Sequence, residues 1–278
     1  MKMKTIWFVV ILIVATTLII NFTFNKENEE FKPFELNVGD VFTGIEYKNT
    51  MYVINYALGD VTGDGENDMV LLLGEKEDVT SQFTRNADIV IYDTVNATFI
   101  SAGIKKFEGE SSKIILSDLT SDGVNDVVVS LENSDKDKNI RILTVKNDSV
   151  KEIFGVKENK GINFVGEVID GMKAHVRCNK LNKELYIDIS DRKSELVQEK
   201  KVDESGKVVC SNKNVTTSGF KTLELVELNG QNGIQTTQII YAFDGTEIVD
   251  EITVIWKFEE GKWQVKEARG TRVGNLKL

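Results

Sequence analysis

Two stretches of the chain decide its fold: residues 58–73 read LGDVTGDGENDMVLLL, and residues 116–131 read LSDLTSDGVNDVVVSL. Aligned on their first aspartate, both follow Asp-x-Thr-x-Asp-Gly-x-Asn-Asp and then enter an apolar run. The two copies are offset by 58 residues. A specific string that recurs in this way marks an internal repeat and favours a propeller or a solenoid.

The repeated loop carries the residue types that a calcium ion needs. Ca²⁺ binds roughly six to eight oxygen atoms at about 2.3–2.6 Å. Glycine at the sixth position lets the chain turn back sharply, so alternate side chains point inward and the seventh residue offers its main-chain carbonyl. The sequence therefore predicts two Ca²⁺ sites. Their predicted ligands are Asp60, Thr62, Asp64, Glu66 and Asp68 in the first loop, and Asp118, Thr120, Asp122, Val124 and Asp126 in the second.

Electrostatics favours a bound cation in each loop. Three carboxylates held about 5 Å apart repel by roughly 3 kcal/mol per pair at an effective dielectric constant near ~20. The alternative is an Asx-type turn whose acids face solvent. An EF-hand is excluded, because its twelfth position is a glutamate and here it is Leu71 or Val129.

The nine-residue loop resembles that of the FG-GAP, or VCBS-type, repeats of integrin α subunits and of many secreted bacterial proteins. The resemblance is carried by Asp60–Asp68 and Asp118–Asp126. It implies that each repeat is one four-stranded propeller blade and that the loop binds Ca²⁺ between strands.

The rest of the chain predicts an all-β fold. Short runs rich in Val, Ile, Leu, Tyr and Phe alternate with Gly, Asn and Asp, as strands and turns do. Weaker copies of the loop at residues 167–171 and 227–233 place repeats near residues 36, 106, 160 and 219. We therefore expect a β-propeller of about four blades over residues 36–278, preceded by one N-terminal transmembrane helix.

The N-terminal segment predicts a membrane anchor. Lys2 and Lys4 precede residues 6–24, which carry no charge and would reach nearly 30 Å at about 1.5 Å per residue. Residues 1–5 then form a cytoplasmic stub, residues 6–24 a signal anchor and residues 25–35 a linker to an extracytoplasmic domain. The alternative is a cleaved signal peptide, which would make the domain a secreted protein.

Composition and motifs argue against several functions. A net charge of −10 repels nucleic acid. His175 is the single histidine, and the chain has neither a phosphate-binding GxxxxGK string nor a zinc-ligand cluster, so no catalytic residue is assigned and no enzyme is predicted. Cys178 and Cys210 are either one disulfide or two free thiols. One or both of Trp256 and Trp263 pack between blades, or they stack on a sugar ring.

The sequence as a whole predicts a membrane-tethered, extracytoplasmic, calcium-binding β-propeller. Its expected role is that of a non-catalytic scaffold or binding module for an unidentified protein or glycan. The alternative is an enzyme, a lyase or hydrolase, that acts on a cell-envelope polysaccharide.

Overall fold

A computed structural model describes residues 35–78, 80–147 and 149–276. Over these residues the predicted all-β class is confirmed, and the chain from Leu36 onward forms one compact unit. The predicted stub and anchor, and all of the predicted linker except Glu35, lie outside the described residues. Within the described part, no helix has the length and apolar character needed to cross a bilayer.

Short strands dominate the described chain, and the helical segments are brief. The strands are β1 (Tyr52–Gly59), β2 (Asp68–Glu75), β3 (Arg85–Asp93), β4 (Thr98–Ser101), β5 (Glu110–Ser117), β6 (Asp126–Glu132), β7 (Lys138–Lys146), β8 (Ser149–Phe154), β9 (Val165–Ile169), β10 (Lys173–Cys178), β11 (Lys183–Asp188), β12 (Asn214–Thr217), β13 (Thr222–Leu228), β14 (Gln231–Ala242), β15 (Glu247–Glu259), β16 (Lys262–Gly270) and β17 (Gly274–Asn275). The helices are two 3₁₀ turns, Glu158–Lys160 and Ser190–Arg192, and α1 (Lys193–Gln198).

The two Asp-rich repeats form two separate four-stranded sheets. Each is an antiparallel meander, β1-β2-β3-β4 in the first sheet and β5-β6-β7-β8 in the second. In both sheets the Asp-rich loop connects the first strand to the second. The two loops therefore occupy equivalent corners of two similar sheets.

The second sheet is buried on both faces, which explains why its β6 strand is apolar at almost every position. Val127 and Val129 face the core shared with Leu72 of the first sheet. The intervening Val128 and the neighbouring Ile142 face the core shared with the C-terminal sheet. Because side chains alternate along a strand, one apolar run supplies both interfaces.

Residues 165–275 form a single nine-stranded sheet, where two further blades were predicted. Its main order is β11-β10-β9-β12-β14-β15-β16-β17, and β13 also pairs with β14. The long strand β14 has room for β12 on one half and β13 on the other, so the two predicted repeats fuse. Among the described residues the sheets do not close into a propeller. The expectation of about four blades is therefore corrected to two four-stranded sheets and one larger curled sheet.

The fourth predicted loop is a tight turn. Leu228 pairs with Gln231, and Asn229 and Gly230 between them have φ angles of 56° and 72°. Two consecutive positive φ values are typical of the type I′ turn that closes a two-residue hairpin. This corner has no room for a nine-residue acidic loop.

Candidate metal centre

The first Asp-rich loop is shaped by Asp60, which opens it. The Asp60 carboxylate accepts hydrogen bonds from the amides of Gly63 at 2.6 Å and Gly65 at 2.9 Å. Both glycines have positive φ, 84° and 92°, a conformation that side chains disfavour. Both oxygens of Asp60 are thus used in folding the loop over itself.

Asp68 closes the loop and is fully buried. Its Oδ2 accepts hydrogen bonds from the amides of Val61 and Thr62 and from the Thr62 hydroxyl, all at 3.0 Å. Its Oδ1 is also buried but has no hydrogen-bond partner among the described residues. Leaving a buried polar atom unpaired costs about 1–3 kcal/mol, and more for a charged group. This oxygen is the strongest sign that the loop holds a ligand.

Three carboxylates converge at this corner. Asp64, Asp68 and Asp93 each offer one oxygen, and the three atoms lie within 4.8 Å of one another. Asp93 is the last residue of β3, and it stands beside Asp68 because Met69 pairs with Tyr92. At that separation, each pair of charges repels by roughly 3 kcal/mol or more at an effective dielectric constant near ~20.

Asp93 is held in its charged form by its own turn. It is 1% exposed, and burial alone would raise its pKa. The Asn96 amide at 2.8 Å and the Asn96 side-chain nitrogen at 2.7 Å donate to it, however, and they hold the pKa of Asp93 below its ordinary value. A buried, ionised carboxylate beside two others suits a hard divalent cation such as Ca²⁺.

The structure divides the predicted ligands of the first loop into different roles. Asp64 and Asp68 come together, whereas Asp60 binds loop amides and is not one of the three converging carboxylates. The Thr62 hydroxyl orients Asp68. Glu66 is exposed, and its amide donates to Asp64 Oδ1 at 2.9 Å.

The second loop has the same backbone design. Asp118 accepts from the amides of Asp122 at 3.1 Å and Gly123 at 2.9 Å. Asp126 Oδ2 accepts from the amides of Leu119 and Thr120, both at 2.8 Å. The repeated string therefore builds the same turn twice.

The surroundings of the second loop differ in charge. Val127 pairs with Leu143, so Thr144 stands beside Asp126 where Asp93 stands beside Asp68. Burial raises the pKa of Asp126, and the neighbouring Thr144 side chain partly opposes that rise. The Lys146 ammonium lies 3.0 Å from Asp122 Oδ2.

Asp122 is held ionised by its neighbours. Burial opposes its charge, but Lys146 and the Val124 amide, which donates to Asp122 Oδ1 at 3.2 Å, hold the pKa of Asp122 below its ordinary value. Two of the predicted ligands, Asp122 and Val124, thus make local contacts with protein groups.

Asparagine side chains connect neighbouring sheets at these corners. Asn125 Nδ2 donates to the Asp60 carbonyl at 3.1 Å, and the Asn125 amide donates to the same oxygen at 3.3 Å. Asn232 at the start of β14 donates to the Asp118 carbonyl at 3.1 Å. Each loop is thereby tied to the sheet that follows it in the chain.

Sequence reasoning missed Asp93, Thr144 and Lys146. All three lie outside the repeated nine-residue string. Asp93 is the last residue of β3, and Thr144 and Lys146 lie within the last three residues of β7. No direct signal in the sequence marks this pairing, because Asp93 and Thr144 are 51 residues apart whereas the loops are offset by 58, and the connection before β7 is shorter than the one before β3.

The histidine, tryptophan and cysteine side chains singled out in the sequence contact other protein side chains or remain as free thiols. His175 lies 2.5 Å from Glu184 and stacks on Tyr186, with ring centroids 4.6 Å apart. Trp256 is fully buried and Trp263 packs edge-on against Phe154, so both side chains are used in packing, although not between propeller blades. Both cysteines are free thiols.

The nine-stranded sheet coincides with the part of the chain that matches a known domain family. Residues 162–270 match the YybI C-terminal domain. The YybI C-terminal domain match begins just before β9 and ends with β16, and it includes neither Asp-rich loop. No curated protein and no solved structure matches the chain.

This match corrects the family assigned from the loops. The matching family is the YybI C-terminal domain and not an FG-GAP or VCBS-type repeat family. The earlier resemblance rested on two nine-residue strings, which specify a turn geometry. That turn serves here at the corners of two sheets, next to a third sheet of a different organisation.

Proposed function

We propose that this protein is a calcium-stabilised, non-catalytic scaffold or binding module at the outer surface of a membrane. The observation that carries the proposal is the buried, unpartnered Oδ1 of Asp68, next to the carboxylates of Asp64 and Asp93. A divalent cation supplies the positive charge that this corner lacks. Asp64, Asp68 and Asp93 would hold it.

The cation in this proposal stabilises the fold and takes no part in a reaction. The loop joins β1 to β2, and its opening residue is tied to the second sheet through Asn125. A cation there would fix both the corner of the first sheet and its junction with the second. Extracellular calcium modules typically bind with a Kd of about 10⁻⁴–10⁻³ M, which is sufficient for such a role.

Location and partners follow from the sequence. Residues 6–24 have the length and apolar character of a membrane anchor, with Lys2 and Lys4 on the cytoplasmic side. The domain would then face outward and bind a protein or glycan there. Its net charge of −10 disfavours nucleic acid as a partner.

The surroundings of His175 favour a binding role over catalysis. Its contacts are a carboxylate and a stacked tyrosine, and that tyrosine is 59% exposed. Among the described contacts, no serine or cysteine is paired with this imidazole, as a nucleophilic mechanism would need. Trp256 and Trp263, the two candidates for stacking on a sugar ring, pack against Phe220 and Phe154.

Calorimetric titration of the full chain with CaCl₂ tests the proposal. Saturable binding is expected, and a D64N/D93N variant, which removes two of the three charges, should lose it. Matched substitutions at exposed acids outside both Asp-rich loops, E204Q and E260Q, should leave the binding unchanged. If the wild-type chain takes up no Ca²⁺ up to about 10 mM, well above the Kd range of weak extracellular sites, the proposal is wrong.

Incubation with an acidic cell-envelope polysaccharide separates the proposed role from the enzymatic alternative. Retention of the polymer without shortening is consistent with a binding module. Appearance of unsaturated or reducing ends, at a rate proportional to protein concentration, would establish an enzyme instead.

A further inference from the structure

We infer that Thr144 and Lys146 replace a metal ion at the second Asp-rich loop, so that the native chain takes up one divalent cation where the repeated string predicts two. The inference rests on the proposed function, because it assumes that the first loop binds Ca²⁺. Two positions outside the repeated string, occupied by Thr144 and Lys146 in the second sheet, would then determine whether a corner needs a metal ion.

The two corners differ in the charged groups that they contain. The first corner has three converging carboxylates, Asp64, Asp68 and Asp93, so a bound divalent cation would leave one net negative charge. The second corner has the carboxylates of Asp122 and Asp126 and the Lys146 ammonium at 3.0 Å from Asp122. It therefore already has one net negative charge. The Lys146 ammonium thus gives the second corner the same net charge that the first corner would have with a bound divalent cation.

The two corners also differ in the hydrogen bonds that their closing aspartates, Asp68 and Asp126, receive. Asp68 is fully buried and has one oxygen with no partner among the described residues. Asp126, 1% exposed, receives two amide bonds on one oxygen, the Thr120 hydroxyl lies 3.5 Å from its other oxygen, and Thr144 stands beside it on β7. The second corner thus has protein donors where the first has an open acceptor.

The strand register makes the two corners exchangeable. Asp93 and Thr144 occupy equivalent register positions; two residues later, Val95 lies in the turn after β3 and Lys146 is the last residue of β7. Val95 is 58% exposed and the Lys146 side chain is 63% exposed, so neither position demands a buried side chain. Exchanging the two pairs should transfer the metal dependence without rebuilding the core.

Two exchange variants of the full chain test the inference by Ca²⁺ stoichiometry in calorimetric titration. The wild type should bind one Ca²⁺. T144D/K146V, which gives the second corner the residues of the first, should bind two. D93T/V95K, which gives the first corner the residues of the second, should bind none and should melt at the same temperature in Ca²⁺ and in EDTA.

The outcomes distinguish this inference from the proposed function. Two ions on the wild type, or one ion on a folded T144D/K146V chain, would overturn the inference while leaving calcium binding intact. If T144D/K146V does not fold, D93T/V95K decides, and retention of its Ca²⁺ site overturns the inference. A wild type that binds no Ca²⁺ removes the proposed function, and the inference falls with it.

Discussion

The two Asp-rich loops share a sequence and a turn but differ in the charge that surrounds them. In both, an opening aspartate binds loop amides and a closing aspartate accepts the amides of the second and third loop residues. Only in the first sheet does the third strand, β3, contribute a third carboxylate, Asp93. In the second sheet the third strand, β7, contributes Thr144 and, two residues on, Lys146.

The nine-residue string therefore determines the shape of the turn, whereas the groups that surround its carboxylates come from other parts of the sheet. The decisive side chains arrive from β3 and β7, more than a dozen residues beyond each string. Under the proposed function, the same nine-residue string would form a cation-binding loop in one sheet and a metal-independent corner in the other. The substitutions below compare the two corners, starting from the largest expected effect.

The largest effect is expected from D68N compared with D126N. Asp68→Asn removes a buried charge from the proposed ion and should abolish the Ca²⁺-dependent rise in stability, which is about 2.7 kcal/mol at a concentration of one hundred times Kd. Asp126→Asn should change stability equally in Ca²⁺ and in EDTA. Urea unfolding of both variants in each buffer measures this difference. Equal calcium responses of the two variants would contradict the account.

A smaller effect is expected from D93N compared with T144V. Asp93→Asn keeps the size of the side chain and removes one of three charges, so Ca²⁺ affinity should fall at least tenfold, or about 1.4 kcal/mol. Thr144→Val removes a hydroxyl from the second corner and should leave Ca²⁺ affinity at its wild-type value. Calorimetric titration gives both values, and an unaltered affinity in D93N would exclude Asp93 as a ligand.

The smallest effect is expected from N125A compared with N232A. Each substitution removes a side-chain hydrogen bond to the carbonyl that opens a loop, worth about 0.5–1.5 kcal/mol. Asn125 is tied to the loop that binds the proposed cation, so N125A should also weaken Ca²⁺ binding, whereas N232A should not. Unfolding in Ca²⁺ and in EDTA separates the two variants. An equal calcium response would mean that the first loop is not coupled to the second sheet.

Much of the fold was predictable from local pattern. The alternation of apolar runs with Gly, Asn and Asp predicted strands, and the repeated string located two sheet corners. The third sheet was not predictable, because β12 and β13 share the edge of β14 and strand pairing is a non-local property. Weak copies of the loop suggested separate blades, but the long strand β14 pairs with β12 and so joins the predicted third and fourth repeats.

The candidate site was predictable only in part. Asp64 and Asp68 follow from the string, because alternate residues of a tight turn face inward. Asp93 does not, because its position beside Asp68 depends on the register between β2 and β3. The role of Lys146 was not predictable either, because a lysine at the end of a strand is usually a solvated surface residue.

Anomalous diffraction from crystals of the full chain grown in CaCl₂ tests the central claim most directly. The account predicts an anomalous peak bound by Asp64, Asp68 and Asp93, with Asp68 Oδ1 among the ligands. It predicts no peak beside Asp122 and Asp126. A first corner without an ion at saturating calcium, with Asp68 Oδ1 bonded to a protein donor, would contradict it.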